Sequence, residues 1–279
     1  AHGWTQDEVE LVPVVASGDK VLDRPLAEIG GKALWTKELD AWLAEGRIDV
    51  AVHSAKDVET LRPDLFHFAA FLPRADRRDS LVGARSIADI PEGAVVGTSA
   101  PRRAAQLLNL RPDCKVVTFR GNVATRLGKL EAGEADVTFL AAAGLERLDQ
   151  SEVGAPLDEA EWIPAAAQGV IALECLTANA DATSALSALD DSGTRAELEA
   201  ERALLAALGG TCHSPVAVLC EHSDGSLSMR AALFSPDGSE RVEGTAKSTA
   251  GDHGPIGALA EQLLREATSA ITDHFRTEG

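Results

Sequence analysis

The sequence predicts an α/β protein with a smaller α+β tail, and three observations support this fold class. Between residues 74 and 164, apolar β-like runs alternate with helical patterns, which is typical of strands joined by crossover helices. Near the C-terminus, three β-like runs are separated by the hairpin-type turns HSDGS and SPDGS. The chain has 279 residues, of which 45% are hydrophobic, so it can bury a large core and suggests about two domains.

The first part of the chain reads strand, loop, helix, strand. The run VELVPVV (residues 9–15) is β-like, and residues 16–31 form a long loop containing Gly, Pro and Asp. Apolar residues at helical spacing predict a helix within residues 32–46 that ends at Gly46. The alternating run of residues 47–54 predicts the next strand. A loop as long as the first one is more often functional than idle.

The middle part repeats a strand–turn–helix unit three times, which predicts a parallel sheet. The three units are VVGTSAPRRAAQLL, VVTFRGNVATRLGKL and VTFLAAAGLERL. Pro101 suits the first turn of its helix, and Asn122 can cap the next one. Residues 170–176 (VIALECL) predict one more strand, which returns to the first unit.

The last part changes pattern. Residues 195–210 predict an amphipathic helix that ends at paired glycines. Strands are then predicted over VAVLCEH, LSMRAALF and RVEGTAKS, and a final helix spans about residues 255–275. The tail is therefore a small α+β domain, distinct from the α/β part.

Composition excludes several classes of protein. The formal net charge is −18 and the pI about 4.7, without a long basic run, which argues against a nucleic-acid surface. No apolar run approaches the roughly 18 residues of a membrane helix. The motifs GxGxxG, Walker A, HExxH and Gly-x-Ser-x-Gly are absent. The four cysteines, without C-x-x-C spacing, do not form a disulfide scaffold, and we expect a cytoplasmic protein.

Cations cluster where strands turn into helices, although the protein as a whole is acidic. Helix N-termini already favour anions, and guanidinium groups there suggest a cleft for a ligand with several carboxylates or phosphates. The residues concerned are Lys56, Arg102, Arg103, Arg120, Arg126 and Arg147. Lys32 lies elsewhere, directly after two glycines of the first loop, which let the backbone come close to a ligand. Arg120 and Arg126 flank the turn-forming Gly121, which is the best local signal for an anion site. Arg102 and Arg103 could instead form a helix-surface pair with one member in the cleft, and Arg147 could simply be exposed.

Two other positions have competing interpretations. Asp57 beside Lys56 could belong to a solvated loop, or it could steer protons and stabilise a cationic intermediate in a basic pocket. His53 could be catalytic or a hydrogen-bonded structural residue.

Cys212 lies in the accessible loop LGGTCHSPVA, unlike Cys175 and Cys220, which occupy strand settings. An exposed thiol near basic groups can be a nucleophile or an attachment point. The alternatives are an ordinary free cysteine, or a zinc site with His213, Cys220 and His222. Because that spacing is not a recognised ligand pattern, no metal is predicted.

Several stretches, taken together and in order, closely resemble the porphobilinogen deaminase (hydroxymethylbilane synthase) family from Val9 onward. They are DRPLAEIGGKALWTKEL, GRIDVAVHSAKDVET, VVGTSAPRRAAQLL, RGNVATRLGKL, AAAGLERL, AAAQGVIALE and GGTCHSPVA. The resemblance implies two periplasmic-binding-protein-like α/β domains around a cleft and a third, α+β domain with a three-stranded sheet. The implied boundaries are 1–72 with 170–188, then 73–169, then 189–279.

The resemblance also implies an activity. Four porphobilinogen molecules are deaminated and condensed into hydroxymethylbilane on a dipyrromethane cofactor, in porphyrin and haem biosynthesis. The product would pass to uroporphyrinogen III synthase, and the enzyme would be a cytoplasmic monomer. A non-catalytic polyanion-binding protein, or an inactive truncated member of the family, is the alternative. The family begins with a strand and a basic loop ahead of the point where this sequence starts at Ala1.

The resemblance assigns roles to individual residues. Asp57 would be catalytic, and Cys212 would hold the cofactor through a thioether. Further cofactor contacts would come from Lys56, Asp57, Ser99, Arg102, Arg103, Arg120, Gly121 and Gln168. Substrate contacts would come from Lys32, Arg126 and Arg147. Ala167 stands where the family commonly has glycine.

Overall fold

The computed structural model describes residues 5, 8–14, 36–211 and 214–275. In chain order the helices are α1 Lys37–Ala44, α2 Pro101–Leu110, α3 Val123–Glu131, α4 Ala142–Glu146, α5 Ala180–Ser187, α6 Ser192–Leu208, α7 Gly254–Glu266 and α8 Ser269–Thr272. The strands are β1 Ala51–Ser54, β2 Phe66–Phe71, β3 Asp79–Val82, β4 Val95–Gly97, β5 Lys115–Val117, β6 Val137–Ala141, β7 Ala155–Pro156, β8 Ile171–Leu176, β9 Val216–Ser223, β10 Ser226–Phe234 and β11 Arg241–Thr249.

The predicted first strand is wrong over its described part. Residues 9–14 form neither helix nor strand, and the side chains of Val9, Leu11 and Val12 are exposed. Pro13 has no amide N–H to give to a strand ladder, which weakens an otherwise β-like run. The predicted loop at residues 16–31 lies outside the described residues.

The first sheet has the order β1-β8-β2 and is antiparallel throughout. β8 follows β2 by 100 residues of chain and pairs with both of its neighbours, so the prediction that it returns to the first unit is confirmed. The helix before this sheet, α1, ends at Ala44, two residues before the left-handed Gly46 that the sequence predicts as its stop.

The second sheet is mixed, with the order β5-β4-β6-β3-β7. β4 pairs in parallel with β5 and β6, as the strand–helix alternation predicts. β3 is antiparallel to β6 and to β7, so the prediction of a parallel sheet is wrong for these two strands. The alternation argument applies only to strands joined by crossover helices, and β3 and β7 lie outside the repeated units.

The third sheet, β11-β10-β9, is an antiparallel meander with the two hairpins that the turns predict. Its core lies between the strands and the helices α6 and α7. α6 ends at Gly209 in the left-handed region, as predicted. The single final helix is wrong: α7 ends at Glu266, the backbone at Ala267 and Thr268 is extended, and α8 then begins.

Several contacts connect the third sheet and the helix α6 beside it to the rest of the molecule. Ala105 on α2 packs with Ile163 against Ala217, Ala232 and Phe234 of the third sheet. On α6, the buried Glu201 binds Arg74, which lies on the segment joining the first two sheets. The third sheet therefore supports α2, and α6 supports the segment that carries Arg74.

Candidate active site

Lys56 and Asp57 lie on a single 3₁₀ turn, Ala55–Asp57, at the end of β1. The buried Ala55 anchors the turn, while the next two side chains are half-buried. Lys56 Nζ donates to Gln168 Oε1 at 3.3 Å. Burial lowers the pKa of Lys56 to about 8; the charge of Asp57 opposes this shift and that of Arg103 adds to it. These charged groups therefore share one pocket.

Arg102 and Arg103 occupy the first turn of α2, directly after Pro101 at its start. Both side chains are buried, so they are not a helix-surface pair. Arg102 Nη2 lies 2.6 Å from Asp79 Oδ2, and Arg103 Nη2 lies 2.7 Å from Asp79 Oδ1. Adjacent helix residues start about 100° apart, but the long arginine side chains converge on one carboxylate. The alternative in which one of the two arginines stays on the helix surface is therefore wrong.

Asp79 is the residue that sequence reasoning missed. It is fully buried at the start of β3 and accepts hydrogen bonds from Arg102, Arg103, Trp162 and Gln168. Burial opposes its ionisation, but the two guanidinium charges outweigh burial and hold the pKa of Asp79 well below its usual range. The one available signal was a charged residue heading the apolar strand DSLV.

Gln168 connects the two halves of the pocket. Its amide nitrogen donates to Arg77 O at 2.8 Å and to Asp79 Oδ1 at 2.9 Å, while its oxygen accepts from Lys56. The preceding Ala167 has φ 61°, in the left-handed region that favours glycine. Its N–H donates to Glu201 Oε2 at 2.6 Å, so α6 holds the turn that aims Gln168.

Arg120 and Arg126 approach from β5 and α3. Gly121 between them has φ 105°, and Asn122 caps α3 by accepting from the amide of Thr125, as predicted. Arg126 Nε donates to Gly121 O at 2.9 Å. Burial lowers the pKa of Arg126 to about 10, with further lowering by Arg103 and Arg120 and an opposing effect of Asp57. Arg126 is therefore near all three charged groups.

Other candidates lie at the margin or outside this pocket. Ser99 is half-buried just before α2. Arg147, at the end of α4, is exposed, and its Nη2 donates to Gly169 O at 3.1 Å, beside Gln168. His53 is buried with Nε2 3.0 Å from Glu174 Oε2, which also accepts from Arg62, so the structural interpretation of His53 is favoured.

The strand settings of Cys175 and Cys220 correspond to buried side chains, as the sequence suggests. Cys114, Cys175 and Cys220 are buried, and burial raises the pKa of Cys220 to about 12. Cys212, His213 and Lys32 lie outside the described residues. Thr60 follows Asp57 by three residues in the chain. Its Oγ1 donates a hydrogen bond to the carbonyl oxygen of Gly210, two residues before Cys212, at 3.1 Å. The start of the Cys212 loop is thus tied to the segment that carries Asp57.

Two family models match the chain in succession. The model described as "Porphobilinogen deaminase, dipyromethane cofactor binding domain" matches residues 2–184, and that described as "Porphobilinogen deaminase, C-terminal domain" matches residues 196–266. The chain belongs to the porphobilinogen deaminase family. Porphobilinogen deaminase of Sphingopyxis alaskensis is 52% identical over 99% of this chain and 89% of its own length. That of Paracoccus denitrificans is 44% identical over 98% and 88%.

Two similar solved structures have lower sequence identity to the chain than these relatives do. The Bordetella pertussis BvgS VFT2 domain is 21% identical with a TM-score of 0.34, covering 58% of this chain and 72% of its own. A putative methionine-binding lipoprotein from Bacillus subtilis is 12% identical with a TM-score of 0.38, covering 55% and 74%. Similarity at this level is too low to support a structural argument.

The residues of this pocket fit a dipyrromethane cofactor, the group named in the description of the family model that matches residues 2–184. The Nε atoms of Arg102 and Arg103 are buried and have no hydrogen-bond partner among the described residues. Unpaired guanidinium N–H donors at the centre of a cationic pocket suit the carboxylates of a pyrrole side chain. The cofactor chemistry and the donor set therefore agree.

Proposed function

We propose that the chain is a transferase that condenses four porphobilinogen molecules into hydroxymethylbilane and releases ammonia. The observation that carries this proposal is that several cations lie around the carboxylate of Asp57. Lys56 and Arg126 each interact electrostatically with both Asp57 and Arg103, and Arg126 also with Arg120. A pocket of this kind suits a substrate that bears two carboxylates and becomes cationic during the reaction.

The cations would bind the acetate and propionate groups of the pyrroles. Arginine presents several N–H donors in a plane and can bind a carboxylate through two parallel hydrogen bonds. Arg102, Arg103 and Arg120 are buried, which strengthens their electrostatic interaction with an anion that enters the pocket. Arg147, which lies beside Gln168, would contribute a further substrate contact, and so would Lys32.

Asp57 would act at the reacting carbon. Loss of ammonia from porphobilinogen leaves a cationic carbon electrophile, and a carboxylate beside it lowers the energy of that cation. The same carboxylate can accept and return the pyrrole N–H proton. Both roles require the ionised carboxylate, and Asp57 interacts electrostatically with Lys56 and Arg126.

Cys212 would hold the dipyrromethane cofactor through a thioether. When bound, the cofactor supplies the terminal pyrrole on which the chain is extended. The bound cofactor would be surrounded by Lys56, Ser99, Arg102, Arg103, Arg120, Gly121 and Gln168. The hydrogen bond between Thr60 and Gly210 supports a fixed relation between the Cys212 loop and Asp57.

We further propose the three domains with boundaries 1–72 with 170–188, 73–169 and 189–279. The three separate sheets support this division, because each falls within one of these units. We also propose a cytoplasmic monomer that passes its product to uroporphyrinogen III synthase. No helix in the described part of the chain is long and apolar enough to cross a membrane. A non-catalytic polyanion-binding protein would have no use for the Asp57 and Cys212 motifs, so the enzyme is favoured.

Intact mass and turnover test the proposal together. The purified protein should carry an excess mass of two linked pyrrole units that Cys212→Ser abolishes. Asp57→Asn should keep that mass and the fold but lose at least about 100-fold in kcat, because a preorganised charge at the reacting centre is removed. An unmodified wild-type mass with no turnover would contradict the proposed activity, and near-normal turnover of Asp57→Asn would contradict the role of that residue.

A further inference from the structure

Asp79 has no hydrogen-bonding capacity left for a ligand. Its Oδ2 accepts from Arg102 Nη2 at 2.6 Å and Trp162 Nε1 at 2.7 Å. Its Oδ1 accepts from Arg103 Nη2 at 2.7 Å and Gln168 Nε2 at 2.9 Å. A carboxylate has about four acceptor positions, so all of them are occupied by protein. Asp79 can therefore act on the reaction only through the residues it holds.

The two arginines need this carboxylate in order to lie side by side. Both guanidinium groups are buried, and like charges in a buried site repel each other strongly. Asp79 separates and neutralises part of this charge, while Ile163 O and Phe139 O each accept one further hydrogen bond, at 3.0 and 2.9 Å. Each guanidinium is thereby fixed at two points, and its Nε remains unpartnered among the described residues.

Asp79 also determines the orientation of Gln168. The amide nitrogen of Gln168 must face Asp79 and Arg77 O, because both are acceptors. Its oxygen must then face the opposite way, where it accepts from Lys56 Nζ. The buried carboxylate of β3 is thus connected, through one side chain, to the turn that carries Asp57.

From these contacts we propose that Asp79 is a positioning residue for the reaction. It holds Arg102 and Arg103 directly, and Lys56 through Gln168. The three cations are thereby fixed in one arrangement that can bind the carboxylates of the pyrroles. This inference rests on the proposed function and assigns a role to a residue that touches neither substrate nor cofactor.

Asp79→Asn is the primary test. Asparagine keeps the size of the side chain but replaces one acceptor oxygen with an N–H donor, which would face donors on every side. For the folded, cofactor-loaded fraction of this variant we expect the KM for porphobilinogen to rise about tenfold or more, with a smaller change in kcat. We also expect lower cofactor occupancy in the intact mass, which does not depend on turnover.

A second readout is the protonation of Lys56, which responds to the charge of Asp79. The groups around Lys56 are Asp57, Asp79, Arg102, Arg103 and the neutral Gln168, and Asp79 raises its pKa. The pH dependence of Lys56 acylation, measured on its peptide by mass spectrometry, should therefore shift to lower pH in Asp79→Asn. A carboxylate that supports the fold from outside the pocket would lower stability without moving this titration.

Asp190→Asn is the matched control. Asp190 also accepts from an arginine, Arg195, and from a backbone amide, that of Phe71, but it lies outside the pocket. The Asp190→Asn substitution should lower the urea concentration at the midpoint of unfolding, and it should leave the KM for porphobilinogen and the titration of Lys56 unchanged. An Asp79→Asn protein with wild-type KM, occupancy and Lys56 titration would overturn the proposal.

Two further variants keep the test decisive. Asp79→Glu retains the charge, so its Lys56 titration should stay close to wild type; a shift as large as that of Asp79→Asn would contradict the charge argument. If Asp79→Asn does not fold, Trp162→Phe removes one donor to Oδ2 and keeps the aromatic stack on Phe139. We then expect KM to rise about threefold, and an unchanged KM would overturn the proposal. A wild-type protein without pyrrole mass or turnover would instead refute the proposed function.

Discussion

At the scale of single residues, Lys56 shows how the pocket sets the charge of its own members. An exposed lysine ammonium has a pKa near 10.5, but burial and the neighbouring arginines lower that of Lys56 to about 8. Below about pH 8 the group is positive and can bind a carboxylate. Above that pH it becomes neutral, so the pocket loses one cation within a range where an exposed lysine would keep its charge.

The pH profile of substrate binding should therefore have an alkaline limb. We expect kcat/KM for the wild-type protein to fall above about pH 8, mainly through a rise in KM, because neutral Lys56 attracts the carboxylates less strongly. Lys56→Arg should lose this limb, since a guanidinium stays protonated throughout the range, even if its absolute rate is lower. Steady-state kinetics between pH 6.5 and about 9.5 measure both profiles. An identical limb in the two proteins would assign it to the substrate or to another group.

At the scale of elements, α3 is the part of the site with the weakest support from the core. Its residues are exposed or half-buried, and the half-buried Arg126 is one of them. Its first turn is secured by Asn122 Oδ1, which accepts from Thr125 N and Thr125 Oγ1, each at 3.0 Å. A helix without a buried face depends on such local interactions, so its cap affects the position of Arg126 directly.

Removal of this cap should therefore affect binding more than stability. Asn122→Ala should cost about 1 kcal/mol of local helix stability and raise the KM for porphobilinogen several-fold. Asn179→Ala is the matched control, because Asn179 caps α5 through the same contact, to Ala182 N at 3.0 Å, away from the pocket. Urea unfolding and steady-state kinetics on both variants separate the two effects. Equal KM values for the two variants would show that α3 holds Arg126 without its cap.

Elements whose signals are local could be predicted from the sequence, and those that depend on distant partners could not. Pro101, Asn122 and the glycines after α6 mark helix ends through their own backbone or side-chain chemistry. The direction of β3 depends instead on β6, some sixty residues further along. The break between α7 and α8 was missed because Thr268 lies within an otherwise helical pattern.

At the scale of the whole molecule, the candidate site also contains residues with a local sequence signal and residues that depend on distant partners. The junction cations could be identified because a strand–turn–helix pattern is contiguous in the sequence. Asp79 could not, because its arginine partners lie 23 and 24 residues away and Gln168 lies 89 away. A net charge of −18 likewise conceals a pocket in which cations outnumber carboxylates. Tertiary packing, rather than composition, creates the local charge.

The same long-range packing connects the third sheet to the arginine pair through the hairpin turn between β10 and β11. Gly238 in this turn has φ 71°, and a Cβ there would lie 2.5 Å from Asn109 N and 2.6 Å from Ala105 O, both on α2. Asn109 Nδ2 also donates to Gly238 O at 2.9 Å. The turn thus lies directly against the helix whose first turn carries Arg102 and Arg103.

Gly238→Ala should therefore affect the arginine pair from a distance. Gly225, in the hairpin turn between β9 and β10, has φ 78° and open space at its Cβ position, so Gly225→Ala reports backbone strain alone, about 1 kcal/mol. Gly238→Ala should lose a further 1–3 kcal/mol or so in urea unfolding, because α2 must move away from the turn. It should also raise the KM for porphobilinogen and lower cofactor occupancy in the intact mass, whereas Gly225→Ala should change neither. If the two variants lose equal stability and bind substrate equally well, the third sheet does not set the position of α2, and the arginine pair is held by Asp79 and the second sheet alone.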